Sequence, residues 1–359
     1  MIKQNPMDVV ASGPPAFTLQ QAVDTARDHY ELNVTAAVLV SERDQNFRLT
    51  SDNGKQYVLK IANALEDPVV TDFQIQALLH IQAKADASIT TPTVLPTTSG
   101  EYSLVLESEG HSHVVRLVSH LEGKPLGAAV VDASLARDMG RYLARLGRAL
   151  SDFSHPGDNH SLLWDMKQAA SLRQILQHIG DRDIRGLATR TLDNFESKIL
   201  PIFDSLRWQV IHNDMNPDNV LMDNSAIPRI AGVIDFGDMV RSPLIIDVAV
   251  AASYLRTLDG NPLTLIAEFL AGYHGEEPLS GLEIDVLHNL INVRLMTTVS
   301  ILSWREWSRG ADDEYLLAAA NVESTAALFL SKMAEIPGEH AAQTYRQVCA
   351  SVAQIHQGQ

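Results

Sequence analysis

The sequence predicts an α+β protein with two lobes, a small β-rich lobe followed by a larger helical one. The chain has 359 residues, which is more than one typical domain needs. Its first third carries short strand-prone runs that are separated by turn signals. After Gly123, apolar residues recur mainly at helical spacing. We therefore expect a flexible leader over residues 1–17, a first lobe over residues 18–121 and a second lobe over residues 122–359.

The first lobe is expected to hold a sheet of about five strands and one helix. The runs AAVLVSE, NFRLTS and QYVLKIA are strand-prone, and SDNGK between the last two favours a hairpin turn. The segments TPTVLPTTSGEYSLVLES and HVVRLVSHLEG predict the remaining strands. The helix is predicted over Val69–Ala85, because Phe73, Leu78 and Ile81 recur at near-helical spacing there.

The second lobe is expected to be helical apart from one short β interruption. The interruption comprises QVIHND, NVLMD and IAGVIDFGD. Helical periodicity predicts helices over Asp132–Ser151, Leu163–Ile179, Asp183–Leu206, Leu244–Thr257, Pro262–Tyr273, Leu282–Arg309, Glu314–Met333 and His340–Ile355.

Charge and composition narrow the classes of function. The chain has 44 acidic and 28 basic residues, a net charge of −16, which argues against a broad nucleic-acid surface and favours cationic small molecules or a metal. No apolar run approaches the ~18 residues of a membrane helix, and residues 1–17 lack the apolar core of a signal peptide. The single cysteine, Cys349, cannot form an intramolecular disulfide. We expect a cytoplasmic protein that binds neither nucleic acid nor membrane.

The densest cluster of polar residues is VIHNDMNPDNVLMDNSAIPRIAGVIDFGDMV, from Val210 to Val240. A carboxylate on a tight loop, here Asp214, can orient and deprotonate a hydroxyl. Asn219, five residues later, and Asp235, beyond a pair of strands, can bind one magnesium ion together. The apolar strands NVLM and IAGVI would hold these oxygens rigidly. This arrangement suits phosphoryl transfer; a hairpin with incidental polar residues is the alternative.

The pattern H-x-D-x4-N followed by D-F-G resembles the aminoglycoside phosphotransferase and choline kinase superfamily, from roughly residue 18 to 310. The resemblance implies a protein-kinase-like two-lobe fold and a kinase that uses Mg²⁺ with ATP or GTP. It also implies that Asp214 is the catalytic base and that Asn219 and Asp235 bind the magnesium.

Two further residues of this region are expected to support the loop and not to react. His212 more often packs and hydrogen-bonds the backbone in such loops. Asp247, in PLIIDVAVA, resembles the aspartate that braces the catalytic loop in this superfamily. A buried carboxylate needs hydrogen-bond partners, which fits that bracing role.

Lys60 resembles the phosphate-anchoring lysine of kinases. In QYVLKIA, strand alternation places Val58 and Lys60 on one face and Tyr57, Leu59 and Ile61 on the other. Val58 could then pack on the nucleotide base. For Lys60, the alternative is a solvent-exposed lysine at the edge of the sheet. The run HVVRLVSHLEG resembles the interlobe linker, whose backbone at Ser119, His120 and Leu121 would hydrogen-bond the base.

The sequence departs from the superfamily in two places. The phosphate-covering turn, SERDQNF, contains no glycine, although its backbone N–H groups could still contact phosphates. The helix that usually supplies a glutamate to the lysine has Gln74 and Gln76, of which Gln74 matches best. Lys60 is therefore expected to pair with Gln74, with Glu66 or Asp72 as alternatives.

A finer resemblance narrows the acceptor. YVLKIAN, VVRLVSHLEGKPL, LLWDMKQ, VIHNDMNPDNVLM and VIDFGDMVRSPLIIDVAVA are similar to the hydroxylysine kinase branch. This implies a small amine-bearing acceptor, either a hydroxylated amino acid or an amino alcohol. Aminoglycosides, homoserine and choline or ethanolamine are alternative acceptors. A catalytically silent pseudokinase that serves as a binding module is the alternative outside enzymes, and the intact set of Lys60, Asp214, Asn219 and Asp235 argues against it.

Three residues are candidates for the acceptor pocket. Asp238 follows the predicted magnesium ligand and either binds a substrate ammonium or lies exposed. Arg294 lies in the apolar run LINVRLMTTVSIL, where a charge is costly unless paired. It therefore forms either a structural salt bridge or a contact with an acceptor carboxylate. Trp164, beside Asp165, either faces the acceptor or belongs to the start of a helix.

Overall fold

The computed structural model describes residues 13–84, 88–319 and 321–357, with side chains up to residue 354. The chain forms two compact units. The first unit comprises Thr91–Glu122, His155–Leu163 and the described part of Met1–Lys84, and the second comprises Gly123–Ser154 and the described parts of Ala85–Thr90 and Trp164–Gln359. A sheet dominates the first unit and helices dominate the second, which confirms the predicted α+β class.

The first unit is built on an antiparallel sheet of six strands. The strands are β1 (Val34–Leu39), β2 (Gln45–Ser51), β3 (Gln56–Ile61), β4 (Val94–Leu95), β5 (Leu104–Ser108) and β6 (His111–Ser119). Their order is β1-β2-β3-β6-β4, and β5 also pairs with β6. The sequence predicted about five strands; the extra one is β4, whose two residues are too few to show strand alternation.

The two faces of this sheet differ in character. Tyr57, Leu59 and Ile61 point into an apolar core that also contains Phe47 and Leu117. On the opposite face the strand register aligns three polar residues across β2, β3 and β6, namely Asn46, Lys60 and Arg116. The predicted alternation along β3 is therefore confirmed.

The described residues of this unit form two helices, where the sequence predicted one. Helix α1 (Leu19–Tyr30) packs Ala22, Ala26 and Tyr30 into the apolar core. Its apolar face is mostly alanine, which hid its periodicity, but the capping box of Thr18 and Gln21 was a readable signal. Helix α2 (Pro68–Lys84) matches the predicted Val69–Ala85, except that Ala85 lies outside the described residues.

Only residues 13–17 of the predicted leader are described by the structure. Residues 1–12 lie outside the described residues. Phe17, in its last part, is buried in the apolar core. Its backbone N–H donates to Gln45 Oε1 at 2.7 Å, and Gln45 Nε2 donates to the Phe17 carbonyl at 2.8 Å.

Helices α3 to α10 belong to the second unit. They are α3 (Ala133–Leu150), α4 (Arg182–Asn194), α5 (Leu244–Ala252), α6 (Thr264–Glu276), α7 (Gly281–Arg309), α8 (Glu314–Ala318), α9 (Val322–Ala334) and α10 (Gly338–Gln357). In the described residues, no helix is long and apolar enough to cross a membrane.

Several of these helices differ from the predicted ones for local reasons. The segment predicted as Leu163–Ile179 forms 3₁₀ turns over Met166–His178. Helix α4 gives way to a π turn and a 3₁₀ segment that includes Pro201, because proline lacks the N–H that a continuing helix needs. The helix predicted over Glu314–Met333 divides into α8 and α9, with Asn321 in the left-handed region at φ 71°. Helix α5 ends early, where Ser253 Oγ donates to the Val250 carbonyl.

Two small antiparallel sheets complete the second unit. Strand β9 (Val220–Met222) pairs with β7 (Lys124–Pro125) on one side and with β10 (Ile230–Val233) on the other. Strand β8 (Trp208–Ile211) pairs with β11 (Val240–Pro243). These five short strands carry the polar cluster that the sequence predicts to be catalytic.

Candidate active site

Strand register brings the two polar loops of the second unit together at both of their ends. The first loop, residues 212–219, joins β8 to β9, and the second, residues 234–239, joins β10 to β11. Ile211 pairs with Val240 and Val220 pairs with Val233, so each loop starts and ends beside the other. The N–H of Ile234 also donates to the Asn219 carbonyl at 2.9 Å. The sequence could not specify this register, although the apolar flanks suggested paired strands.

Asp247 holds the start of the first loop. This residue of α5 is 4% exposed, and its two carboxylate oxygens accept the backbone N–H groups of His212 (3.2 Å) and Asn213 (2.8 Å). Burial raises the pKa of Asp247 to about 6, and the two backbone donors oppose that shift. Asn213 has φ 63°, so the carboxylate stabilises a left-handed turn that side-chain-bearing residues rarely adopt.

His212 ties the two loops to each other. Its Nδ1 accepts the N–H of Asp214 at 3.2 Å, so its Nε2 carries the proton and donates to the Ile234 carbonyl at 3.2 Å. The ring also packs edge-on against Phe236, with centroids 4.8 Å apart. These contacts are those of a side chain that packs and bonds the backbone, and its supporting role stays a prediction.

Asp214 lies between two amides and one guanidinium. Its Oδ2 accepts Nδ2 of Asn219 (2.8 Å) and Nδ2 of Asn216 (3.0 Å), and its Oδ1 lies 3.3 Å from Arg294 Nη2. Burial, and then the charge of Asp238, raise the pKa of Asp214 well above its ordinary value, while Arg294 acts in the opposite direction. Oδ2 is therefore engaged by two side-chain amides, and Oδ1 faces the guanidinium. A raised pKa suits a carboxylate to accept a proton.

Arg294 is buried but poorly satisfied. Its side chain is 1% exposed, and its guanidinium lies over the Trp164 ring, 4.9 Å from the centroid. Besides Asp214, it donates to the Trp164 carbonyl (3.3 Å) and the Tyr254 hydroxyl (3.4 Å), both at long distances. Its Nε is buried and bonds no atom of the described residues. Both predicted roles, an internal ion pair and the binding of an acceptor carboxylate, are compatible with this environment.

The arrangement of Asn219 and Asp235 fits a magnesium ion. Asn219 uses its Nδ2 for Asp214, which leaves the amide oxygen as the atom that can meet a cation. Asp235 is exposed, has φ 59°, and accepts the Gly237 N–H at 3.2 Å with Oδ1. Among the described residues no group of three or more His, Cys, Asp or Glu side chains is arranged to hold a metal ion. Magnesium commonly binds through one or two carboxylates together with substrate phosphates, and one carboxylate with one amide oxygen fits that preference.

The other two acceptor candidates are linked to Asp214 by charge or through Arg294. Asp238 ends the short 3₁₀ turn Phe236–Asp238 and is half-buried. Trp164 is 5% exposed and makes its contacts with Arg294 through both ring and carbonyl. Tyr254 and Asn216 were not predicted as site residues. Asn216 could have been found from its place in the polar loop, but Tyr254 had no signal in the sequence.

In the first unit, Lys60 lies opposite an unpredicted arginine. Lys60 is 9% exposed on β3, and the facing residue on β6 is Arg116, which is 2% exposed. Arg116 Nη2 donates to Gln74 Oε1 of α2, so the predicted partner of the lysine binds the arginine. A charged residue within the apolar run HVVRLVS was the available signal for Arg116.

The alternative acidic partners of Lys60 have different surroundings. Glu66 has a side chain that is 10% exposed, accepts Thr71 Oγ1 at 3.0 Å, and lies 4.0 Å from Arg43. Burial, followed by the charge of Asp44, raises the pKa of Glu66 to about 7. Asp72 is exposed and accepts Nε2 of His155 at 3.1 Å. Glu66 is therefore the more buried of the two alternatives.

The predicted base-binding stretch is partly used by the sheet. The N–H of Ser119 donates to the Thr93 carbonyl at 2.8 Å, and the N–H of His120 donates to the Gln56 carbonyl at 3.2 Å. Val58 is half-buried on the same face as Lys60. Contacts of a nucleotide base with Val58, Ser119, His120 and Leu121 stay predictions.

The sequence of the chain is similar to that of known phosphotransferases. The APH family model, described as the phosphotransferase enzyme family, matches residues 36–282. Hydroxylysine kinase of Mus musculus is 25% identical over 334 residues, which cover 86% of this chain and 88% of that protein. Hydroxylysine kinase of Bos taurus is 25% identical over 330 residues, which cover 85% of this chain and 87% of that protein.

Structural comparisons agree on the fold. A microcompartment-associated aminopropanol kinase has a TM-score of 0.70 at 18% identity, over 90% of this chain and 99% of its own. An amicoumacin kinase in complex with AMP-PNP, Ca²⁺ and Ami has a TM-score of 0.65 at 16% identity, over 90% of this chain and 95% of its own. A spectinomycin phosphotransferase in complex with ADP and spectinomycin has a TM-score of 0.60 at 15% identity, over 95% of this chain and 100% of its own. These likenesses confirm the predicted kinase-like fold.

The raised pKa of Glu66 leads to a prediction about stability and pH. An acid whose pKa rises from 4.5 in the unfolded chain to about 7 in the folded chain destabilises the fold when it must ionise. Glu66→Gln should therefore become more stable relative to wild type as pH rises from about 4.5 to 7, by on the order of 3 kcal/mol, and the difference should stay constant above that window. Urea unfolding at several pH values measures this difference. Exposed Glu101→Gln is the matched control, and a Glu66→Gln difference that stays flat with pH contradicts the prediction.

Proposed function

The chain belongs to the phosphotransferase enzyme family, and from that premise we propose that it transfers the γ-phosphate of ATP or GTP to the hydroxyl of a small amine-bearing acceptor. The acceptor class we propose is a hydroxylated amino acid or an amino alcohol of the hydroxylysine type. The observation that carries this proposal is the environment of Asp214, a carboxylate on a loop held at both ends by strands, whose Oδ2 accepts two side-chain amides and whose Oδ1 faces Arg294.

In the proposed reaction, Asp214 acts as the base. The acceptor hydroxyl donates a hydrogen bond to Oδ1, because Oδ2 is already engaged by two side-chain amides. As the hydroxyl oxygen forms its bond to the γ-phosphorus, its proton passes to Asp214, and the bond from that phosphorus to the leaving nucleoside diphosphate breaks. The amides of Asn216 and Asn219 keep the carboxylate from rotating, which fixes the direction of proton transfer.

Asn219 and Asp235 would hold the magnesium ion. When bound, Mg²⁺ neutralises the negative charge of the phosphates. The chain itself keeps both ligands in place, since Asn219 is bonded to Asp214 and Asp235 begins a short 3₁₀ turn. On the first unit, Lys60 is the proposed phosphate anchor. Gln74 of helix α2 is the proposed supporting residue on the polar face of the sheet that carries Lys60. Val58, Ser119, His120 and Leu121 are the proposed contacts of the base.

Asp238, Arg294 and Trp164 are the proposed acceptor contacts. Asp238 would attract the ammonium group, and Arg294, whose buried Nε bonds no atom of the described residues, would bind a carboxylate. The relatives named hydroxylysine kinase support an amino acid, whereas the structural neighbour named aminopropanol kinase supports an amino alcohol. An aminoglycoside acceptor is the second candidate, since one structural neighbour is a spectinomycin phosphotransferase. A cytoplasmic location, where nucleoside triphosphates are abundant, stays a prediction.

The proposed function is tested with a panel of acceptors, each combined with each nucleotide. Hydroxylysine, homoserine, aminopropanol, choline, ethanolamine and an aminoglycoside are each incubated with ATP or GTP, with and without magnesium, while nucleoside diphosphate release is measured. We expect release that depends on both magnesium and a hydroxy amino acid or amino alcohol. Asp214→Asn should keep nucleotide binding and lower turnover by roughly 10²–10⁴-fold, the usual range for loss of a general base. Nucleotide binding without turnover of any acceptor would instead favour the pseudokinase.

Arg294 provides a test of acceptor charge. If the Arg294 guanidinium binds an acceptor carboxylate, Arg294→Met should raise the KM of a hydroxy amino acid strongly, because losing one partner of a buried charged pair typically costs about 2–5 kcal/mol. The KM of the nucleotide should change little, and so should that of the matching amino alcohol. Steady-state kinetics with homoserine and with an amino alcohol of equal length measure the contrast.

The matched control for this variant is Arg305→Met. Arg305 is equally buried on the same helix but pairs with Asp313, at 2.8 Å, and not with Asp214. Equal losses for both acceptors in Arg294→Met would mean that the arginine acts on Asp214 and not on a carboxylate.

A further inference from the structure

Residues His155–Leu163, here called the strap, belong to the first unit although their neighbours in sequence belong to the second. The chain leaves the second unit after Ser154 and returns to it at Trp164. Between these points the strap packs on helix α2, the helix that carries Gln74. These residues fall within the predicted second lobe, residues 122–359, and no sequence motif marks them.

Within the strap, Gly157 lies directly against the backbone of helix α2. A Cβ atom at this position would lie 2.6 Å from the Val69 carbonyl oxygen and 3.1 Å from Phe73 Cβ. Ordinary contacts of this kind begin at 3.4 Å, so any side chain would force the strap and α2 apart by about 0.8 Å. Because the nearer atom belongs to the helix backbone, a rotamer change cannot relieve the contact.

Two histidines shape the strap around this glycine. His155 Nδ1 accepts the Gly157 N–H at 3.1 Å, so its Nε2 carries the proton that it donates to Asp72 Oδ2 of α2, also at 3.1 Å. His160 Nδ1 donates to the Gly157 carbonyl at 3.0 Å. Both imidazole rings lie against Phe73, which is fully buried, with centroids 5.8 and 6.1 Å apart. The strap thus has its own internal bonds, and its contacts with α2 include the hydrogen bond to Asp72, the two ring contacts with Phe73 and the backbone contact at Val69.

The residue after Phe73 connects α2 to the polar face of the sheet. Gln74 accepts Nη2 of Arg116, whose Nη1 is buried and bonds no atom of the described chain. Arg116 and Lys60 are directly opposite each other on neighbouring strands, where two like charges repel. The position of α2 therefore decides whether the guanidinium stays bonded to Gln74 beside the lysine.

We propose that the strap is a positioning element for nucleotide binding. By fixing α2, it keeps Gln74 on Arg116 and so maintains the face on which Lys60 binds the phosphates. His155 and Gly157 are its positioning residues. The inference rests on the proposed nucleotide-binding role of Lys60 and adds a device of this chain that compensates for the missing helix glutamate.

The test compares Gly157→Ala with Gly180→Ala. The second variant makes the same chemical change where an added Cβ meets nothing within 4 Å. The dissociation constant of AMP-PNP with magnesium is measured by calorimetry, and the KM of the nucleoside triphosphate by steady-state kinetics. Gly157→Ala should weaken both by roughly tenfold or more, since displacements near 1 Å can cost about 10²-fold, with the acceptor KM nearly unchanged. Gly180→Ala should leave both at wild-type values.

A purely structural role gives a different result. Lower stability alone reduces the folded fraction, and with it the maximal rate, while the nucleotide KM and the dissociation constant per folded molecule stay at wild-type values. That outcome overturns the proposal. Hydrogen exchange adds a readout that does not need catalysis: amides of α2 should exchange faster in Gly157→Ala, whereas unchanged exchange contradicts the proposal.

A second variant covers the case in which Gly157→Ala fails to fold. His155→Ala adds no volume and removes the hydrogen bond to Asp72 and one ring contact, so a smaller rise of the nucleotide KM, about threefold, is expected. No rise in a folded His155→Ala protein would count against the strap. Wild-type protein that binds AMP-PNP but transfers no phosphate would overturn the proposed function, while the affinity comparison between the glycine variants would still decide the inference.

Discussion

The candidate site depends first on a buried carboxylate that accepts two backbone N–H groups. Asp247 binds the N–H of His212 and of Asn213 and stabilises the left-handed turn between them. From that turn, His212 reaches the second loop, and Asp214 points toward the amides and the arginine. Both loops are held at their ends by short strands, so one fixed turn sets the position of the whole cluster.

Each unit brings like charges close together. In the second unit, Asp214, Asp235 and Asp238 lie on two adjoining loops, and Arg294 lies 3.3 Å from Asp214. In the first unit, Lys60 and Arg116 face each other across a strand pair, and Gln74 accepts a hydrogen bond from Arg116. In the proposed reaction, magnesium would lower the negative charge around the carboxylates, and phosphates would lower the positive charge around Lys60.

The sequence was most informative where the chemistry is local. The order and spacing of Asp214, Asn219 and Asp235 predicted the family, and strand alternation predicted which face carries Lys60. Contacts that depend on strand register or on remote packing could not be predicted. Arg116 meets Gln74, and Arg294 meets Trp164 and Asp214, only after strands and helices distant in sequence have packed together. Helix α1 and the strap were missed because alanine and glycine contribute little to apolar periodicity.

The most direct test of this account is a double-mutant cycle between Asp247 and Asp214. If Asp247 acts by holding the loop that carries the base, Asp247→Asn should lower kcat at least about tenfold in the wild-type background but less than about twofold in Asp214→Asn, because a misplaced base matters only when the base is present. The unfolding free energy of each variant is measured in parallel to correct for the folded fraction. Losses that multiply independently in the two backgrounds would contradict the account.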